Sequence, residues 1–343
     1  MKIGNDAMIR NKTFLYSFLI CMFLAAACNQ NAEHIKFSGE TMGTYYAITI
    51  GKADVKIQTI KASVDSVLKE VNTQMSTYLS KSVLSQFNKY RDTVWFKAPK
   101  ELISVVEESK NIYEQSDGCF DITVGPLVNL WGFGPENRPE TVPSDNEIIA
   151  RKILIGSDKL LVDKSFLMIK KKIPELYCDL SAIAKGYGVD AVAKFLEQKG
   201  IKDYLVEIGG EVRTRGKNQF GEEWKVGISS VDGGTGIQRV IHLSGNSIAT
   251  SGDYRNYFEE NGIRYSHTID PRTGKPINHK LVSVSVICKE CMSADGYATA
   301  IMVLGPEEGL AFAEKLNLPV FIIVKKKDGF KEIMTESFKK YLK

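Results

Sequence analysis

Hydrophobic and polar positions change period several times along the chain, and each period predicts an element. Residues 45–50 alternate as a strand, after which Val55, Ile57, Ile60, Val64, Val67, Leu68 and Val71 fall near helical spacing until Met75-Ser-Thr-Tyr78 breaks the pattern. A second helix is expected from about Lys100 to Gln115, with Leu102, Val105, Val106 and Ile112 on its core face. Short apolar runs between Ile153 and Ile169, separated by polar turns, read as strands in hairpins. A helix running on from Asp179 to Gly200 places Ile183, Tyr187, Ala191 and Phe195 on one buried stripe, with Gly200 as its C-terminal cap. Further strands are expected at 204–208, 224–228, 240–243, 247–249 and 281–287, the last alternating strictly. Helices over 293–304 and 307–316, separated by Gly305-Pro306, precede a buried strand at 320–324. This order implies an α/β mixed (α+β) fold, a single large domain or two tightly joined lobes built on mixed sheets with flanking helices.

Composition changes the picture mainly at the N-terminus. Lys2, Arg10 and Lys12 precede an apolar run from Phe14 to Ala27 that ends Leu-Ala-Ala-Ala-Cys28. Residues 1–27 read as a lipoprotein signal peptide, Cys28 as the lipidated residue and 28–35 as a tether, leaving 36–343 as the folded domain. The expected location is the cell envelope, lipid-anchored to a bacterial membrane on the periplasmic side. Losing Lys2, Arg10, Lys12 and Asp6 lowers the formal net charge from +4 to +2, which with no basic stripe excludes a nucleic-acid binder. Cys119, Cys178, Cys288 and Cys291 are too few for a disulfide framework in this length; the Cys288-x-x-Cys291 pair reads as two packed thiols or a local disulfide.

Chemistry concentrates in the stretch 250–276. His267 lies at a strand end entering the Pro-Arg-Thr-Gly turn after Asp270, with Tyr265, His267 and Ile269 alternating to one side. Its ordinary pKa suits a general base at neutral pH, and Thr250, Ser251 and Gly252 are candidates for the same pocket. The stretch 117–134 mixes glycines with Phe120, Trp131 and Phe133, letting backbone approach a ligand and offering flat apolar surface to a ring system. Gly186 and Gly188 are anomalous in the first turns of a helix and imply that something needs the space beside them. Asp179, Ser181 and Lys185 would sit at that helix's start, a place suited to phosphate. Asp295 and Thr299, four apart, share one helix face and offer hard oxygens to a cation such as magnesium.

The ordered motifs Met42-Gly-Thr44, Phe120-Asp-Ile-Thr-Val-Gly-Pro-Leu-Val-Asn-Leu-Trp-Gly-Phe-Gly134, Asp179-Leu-Ser-Ala-Ile-Ala-Lys-Gly-Tyr-Gly-Val-Asp190, the His267 stretch and Ala294-Asp-Gly-Tyr-Ala-Thr-Ala300 resemble the ApbE family of FAD:protein FMN transferases. The likeness covers nearly the whole chain after residue 35. It implies an enzyme that cleaves FAD with the help of Mg2+, attaches FMN through a phosphoester to a threonine or serine hydroxyl of a partner flavoprotein, and releases AMP. By that resemblance Met42, Tyr78, Cys119, Phe120, Asp121, Asp179, Lys185 and Ile269 contact FAD. Ala182 through its carbonyl, Asp295 and Thr299 hold the metal, and His267 is the base. The implied acceptors are membrane redox-complex subunits or other exported flavoproteins. Gly296-Tyr297 and Glu211 depart from the family's commoner residues beside the metal and flavin positions. Two other readings use the same residues: a hydrolase giving FMN and AMP, and a non-catalytic flavin-binding lipoprotein.

Overall fold

The computed structural model describes residues 34–51, 55–135, 141–232, 236–252, 257–260 and 263–342. The segment read as a signal peptide and Cys28 therefore lie outside the described residues, as does part of the stretch after Gly252.

Eight strands form the main sheet among the described residues: β1 (Ile35–Thr41), β2 (Thr44–Ile50), β3 (Tyr204–Ile208), β4 (Glu211–Arg215), β5 (Ser247–Gly252), β6 (Leu281–Cys288), β7 (Val320–Lys326) and β8 (Gly329–Met334). Their spatial order follows the chain, and every pairing is antiparallel, where mixed sheets were expected. Such an order needs only short reversals, so the helices enter as long insertions between neighbouring strands. The α+β class stands.

One face of the sheet is covered by helices α1 (Ile57–Met75), α2 (Lys100–Gln115), α3 (Ala184–Gln198) and α4 (Cys291–Leu304). Ile60, Val64, Leu68 and Val71 of α1 are buried as the spacing predicts, the first three against Ile48, Val206 and Ile208 and Val71 in the neighbouring core with Met75 and Leu84. The opposite face of β4 to β7 is closed by a separate hairpin, Trp224–Ser229 paired with Ile237–Leu243, whose Val226, Ile228 and Ile241 meet Val212, Ile248 and Ile323. This second cover explains a departure from the alternating pattern: β6 is buried on both faces, with Leu281, Val284 and Val286 in the helical core and Ile287 in the hairpin core.

Two other sequence readings shift for a similar reason. Helix α3 begins at Ala184 rather than at Asp179; of the predicted stripe only Ile183, just before the helix, is fully buried, and the buried residues of the helix itself are Gly186, Gly188, Val189, Val192, Ala193 and Leu196. It is wedged between α1, α4 and β3, so its contact surface is wider than one row of side chains. In the region read as hairpins, strands Leu160–Asp163 and Met168–Lys171 do pair, but Ile153 follows a helix, Asp145–Lys152, closed by a Ser144/Glu147 capping box. Cys288 and Cys291 are free thiols, packed rather than bridged. Among the described residues no helix is long and apolar enough to cross a membrane.

The glycine anomaly is resolved by helix contact. A Cβ on Gly186 would stand 2.4 Å from the Cys291 carbonyl oxygen and 2.8 Å from Met292 Cα, both backbone atoms of α4 that cannot swing aside. Overpacking of this kind costs about 1–3 kcal/mol. Gly186→Ala is therefore expected to lower Tm by several degrees in a calorimetric scan; an unchanged Tm would show that α3 and α4 do not pack this tightly. The same junction is held electrostatically. Glu290, the residue before α4, gives it no side-chain cap, and Asp190 of α3 instead accepts the N–H groups of Cys291 and Met292, each at 2.9 Å. Arg213 of β4 donates to Asp190 at 2.6 Å and to Glu290, tying α3, α4 and the sheet at one point.

Candidate active site

A cavity of about 740 Å³ opens where the glycine-rich stretch, the start of α3, the middle of α4 and the end of β5 converge. Its size and mixed lining fit a cofactor-sized ligand. Two segments distant in sequence build one wall. Asn88 clamps Cys178 by donating to its carbonyl at 2.8 Å and accepting its N–H at 2.8 Å, and Asp179 N–H donates to Ile122 O at 2.7 Å. Residues 119–123 are thereby laid beside 178–183. Asp179 Oδ1 accepts from Ser181 N–H at 2.9 Å and from its hydroxyl at 2.5 Å, holding the turn that leads into α3.

Tyr78, Cys119, Phe120, Asp121, Asp179 and Lys185 all border this cavity. So do Ile269, Ala182, Asp295, Thr299 and His267. Met42 does not; it occupies the turn between β1 and β2 with φ +49 and packs over Gly188, whose added Cβ would meet Met42 Cε at 2.9 Å. Asp121 is buried, accepts from the Thr123 N–H and hydroxyl at 2.8 and 2.7 Å, and is pushed up in pKa by burial. Burial also pushes the Cys119 thiol up to about 11, so it stays protonated at neutral pH and is no nucleophile. Tyr78, two-thirds exposed at the rim, has its phenol pKa raised by burial and then by Asp179.

Of the four histidines only His267 borders the cavity. His279, by contrast, meets Met302 O at 2.8 Å, and His34 packs edge-on to Trp224. His267 follows the strand Ile263–Ser266 in a bend, which turns its ring toward the cavity. Below it, Asp270 accepts from the Arg272 N–H, Nε and Nη2 at 2.9, 3.1 and 3.0 Å. The turn closes at Gly274, φ +76, a conformation that favours glycine. Trp131 Nε1 donates to Gly274 O at 2.9 Å and its ring stacks on Tyr265 at 5.5 Å. Phe133 meets the His267 ring edge-on at 6.3 Å. The aromatics of the glycine-rich stretch thus set the histidine's position.

Across the cavity lies a charged cluster. Lys185 Nζ is paired with Glu211 and stands 4.0 Å from Asp295 Oδ1. Asp295 Oδ2 accepts the Gly186 N–H at 3.0 Å, and Thr299 Oγ1 lies 3.2 Å from Ser251 Oγ. Burial alone would lower the lysine's pKa, but Asp295 and Glu211 overcome this and hold it well above the usual value. Glu211, 2 % exposed with Oε2 unpartnered among the described residues, is pushed up to about 7, by burial first and by Asp295. The sequence marked Glu211 only as a family departure; a glutamate after Gly-Gly at a strand start gives no sign that it will face a lysine 26 positions earlier.

Among the described residues no three His, Cys, Asp or Glu side chains are placed so that they could hold a metal ion together. The oxygens at hand are the Asp295 carboxylate, the Thr299 hydroxyl and the Ala182 segment of the same wall. This hard-oxygen set, poor in protein charge, fits magnesium, which commonly takes one or two carboxylates and completes its shell with water and phosphate oxygens. With Glu211 raised, the folded state of the metal-free protein holds a proton that the unfolded chain has lost. Its stability should therefore fall as pH rises from about 4.5 to 7. Asp190, raised to about 6 by burial, adds a slope of the same sign at lower pH. In chelator-treated protein, Glu211→Gln is expected to flatten the upper part of the Tm-against-pH curve; an unaltered slope would place Glu211 at its ordinary pKa.

The model of the ApbE family matches residues 42–322, enclosing every one of these groups. The chain belongs to the ApbE family. It is 49% identical to the FAD:protein FMN transferase of Vibrio cholerae over 94% of this chain and 97% of that protein. Against the Escherichia coli K12 protein of the same name it is 39% identical over 95% and 98%. Among solved ApbE structures, the flavin transferase from Vibrio cholerae superposes with a TM-score of 0.84 at 47% identity, over 91% of this chain and all of that one. The apo flavinyl transferase of Pseudomonas stutzeri gives 0.84 at 38% identity, over 90% and 97%.

Proposed function

We propose that this ApbE-family chain is a magnesium-dependent flavin transferase that moves FMN from FAD onto a threonine or serine hydroxyl of a target flavoprotein. The observation that carries it is the convergence on one cavity of a lone histidine, a lysine between two carboxylates, and a carboxylate and hydroxyl on one turn of α4. Phosphoryl-type transfer depends on positioning and on neutralising phosphate oxygens more than on covalent chemistry by the protein. Lys185, kept protonated, supplies a fixed positive charge to the pyrophosphate. Asp295, Thr299 and the Ala182 carbonyl would hold magnesium, which would supply further charge neutralisation there. Tyr78, Cys119, Phe120, Asp121, Asp179 and Ile269 shape the walls that hold FAD, and Met42 supports the wall from the α3 side. His267 takes the proton from the acceptor hydroxyl as its oxygen bonds to the FMN phosphorus. The bond from that phosphorus to the AMP oxygen breaks, and AMP leaves with the electron pair.

Lipid attachment at Cys28 would hold the enzyme at the periplasmic face of a membrane, where its partners would be redox-complex subunits or other exported flavoproteins. The test uses the chain from Asn29 onward, with FAD, magnesium and such an acceptor, following acceptor mass and AMP together. A mass gain of one FMN per acceptor, lost on chelation, is expected. AMP with free FMN and no adduct would favour the hydrolase, and no AMP would leave a flavin-binding lipoprotein.

A further inference from the structure

The cavity does not end at the charged cluster. It continues along the hairpin strand Trp224–Ser229, of which five successive residues, 225 to 229, border it. Side chains of a strand alternate between faces, so an unbroken run of lining residues means that the strand presents its backbone edge to the space. Among the described residues this strand pairs only with Ile237–Leu243. The direction of the free edge follows from the hairpin's seat. Gln238 and Arg239, on the paired strand, donate to Glu332 of β8, at the far side of the sheet. The Trp224–Ser229 edge therefore faces the other way, toward β3 and β2, with Leu205 of β3 at the margin of the hairpin core. Leu205, Glu207 and Tyr45 form the floor there; Tyr45 is 53% exposed and donates to Glu207 at 3.0 Å.

The groove has a direction as well. Trp224 Nε1 donates to Arg215 O at the far end of β4, whereas Glu211, at the near end, borders the Lys185 cluster. The edge thus runs from the sheet's outer end into the catalytic cavity, about 17 Å at 3.3 Å per residue over five residues. At its inner end Gly209 and Gly210, with φ +60 and +105, bend the β3–β4 turn, and the space beside Gly210 is open for 4 Å.

We propose that this groove binds the acceptor polypeptide as an added β-strand along residues 225–229, feeding its hydroxyl to His267. The proposal rests on the transferase reading, which requires a polypeptide segment in extended form to reach a recessed base. Three features select such a segment over any other occupant: the free strand edge, the length of the groove and its continuity with the catalytic cavity. Recognition through main-chain hydrogen bonds gives affinity with little demand on side chains. Strand addition accordingly leaves the choice of acceptor to the few positions around the hydroxyl.

The test is hydrogen exchange on the whole lipid-free enzyme with FAD bound, with and without the acceptor that gains FMN in the assay above. The expected result is slowed exchange of amides in 225–229 on adding acceptor, beyond that seen with FAD alone. Ser229→Trp, which fills the exposed inner end of the groove, is expected to raise the acceptor KM at least ten-fold and to leave FAD affinity within two-fold. Protection by FAD alone, or a Ser229→Trp loss of FAD affinity, would assign the groove to the nucleotide and overturn the proposal. No protection by a competent acceptor would overturn it too. Failure of the wild-type enzyme to flavinylate any acceptor is a separate outcome that removes the transferase reading itself.

Discussion

Replacing His267 with alanine is expected to slow FMN transfer by about 10²- to 10⁴-fold, the usual contribution of a positioned general base. FAD should bind within a few-fold of wild type, because the groups that shape the opposite wall stay in place. His267 is the only histidine at the cavity, and its bend is held by the Asp270–Arg272 turn and by Trp131 below it. The remaining rate should no longer depend on a base at this position, since an alanine cannot accept the hydroxyl proton. Single-turnover AMP release, measured from pH 5 to 9 beside a fluorescence titration of FAD, checks both statements. A variant that transfers FMN to the acceptor and releases AMP at the wild-type rate would remove His267 from the mechanism.

Lys185→Met should be almost as severe and should act on stability as well. In the wild type one ammonium serves two buried carboxylates, Glu211 and Asp295, which are 2 % and 4 % exposed. Removing it leaves the two carboxyl groups facing each other in a low-dielectric wall with no cation between them, a change that typically costs about 3–5 kcal/mol when a buried pair loses one partner. The phosphate also loses its fixed positive partner, for which a decrease of about 10²–10³ in kcat is expected. Adding Glu211→Gln to Lys185→Met separates the effects: the neutral amide removes one unpaired charge, so Tm should largely recover while transfer stays low. Recovery of activity along with Tm would mean that Lys185 only holds the wall together.

Much of the site is written locally. Asp179 through Asp190 and Ala294 through Ala300 each keep their chemistry within a dozen residues or fewer, so the spacing alone places Asp295 and Thr299 on one face and Lys185 near a helix start. The anomaly of Gly186 is equally legible as a demand for space, because glycine in a helix interior costs stability unless something needs the room. Periodicity also found α1 and β2, each of which buries one clear face. It misjudged α3 and β6, since elements covered on two sides lose the amphipathic pattern from which a face is read.

The sequence by itself determined the family and most of the residues that reach the cavity, His267 among them. Only the tertiary structure decided which groups meet across the chain. Glu211 faces Lys185, Asp190 caps a helix that begins 101 positions later, and Phe133 stands against His267. Among the described residues it also leaves one hairpin edge open beside the cavity. The physical reason is that local patterns record how a segment turns and which side is apolar. Ion pairs, long-range caps and grooves depend on the order of strands in the sheet, and no short-range period encodes that order.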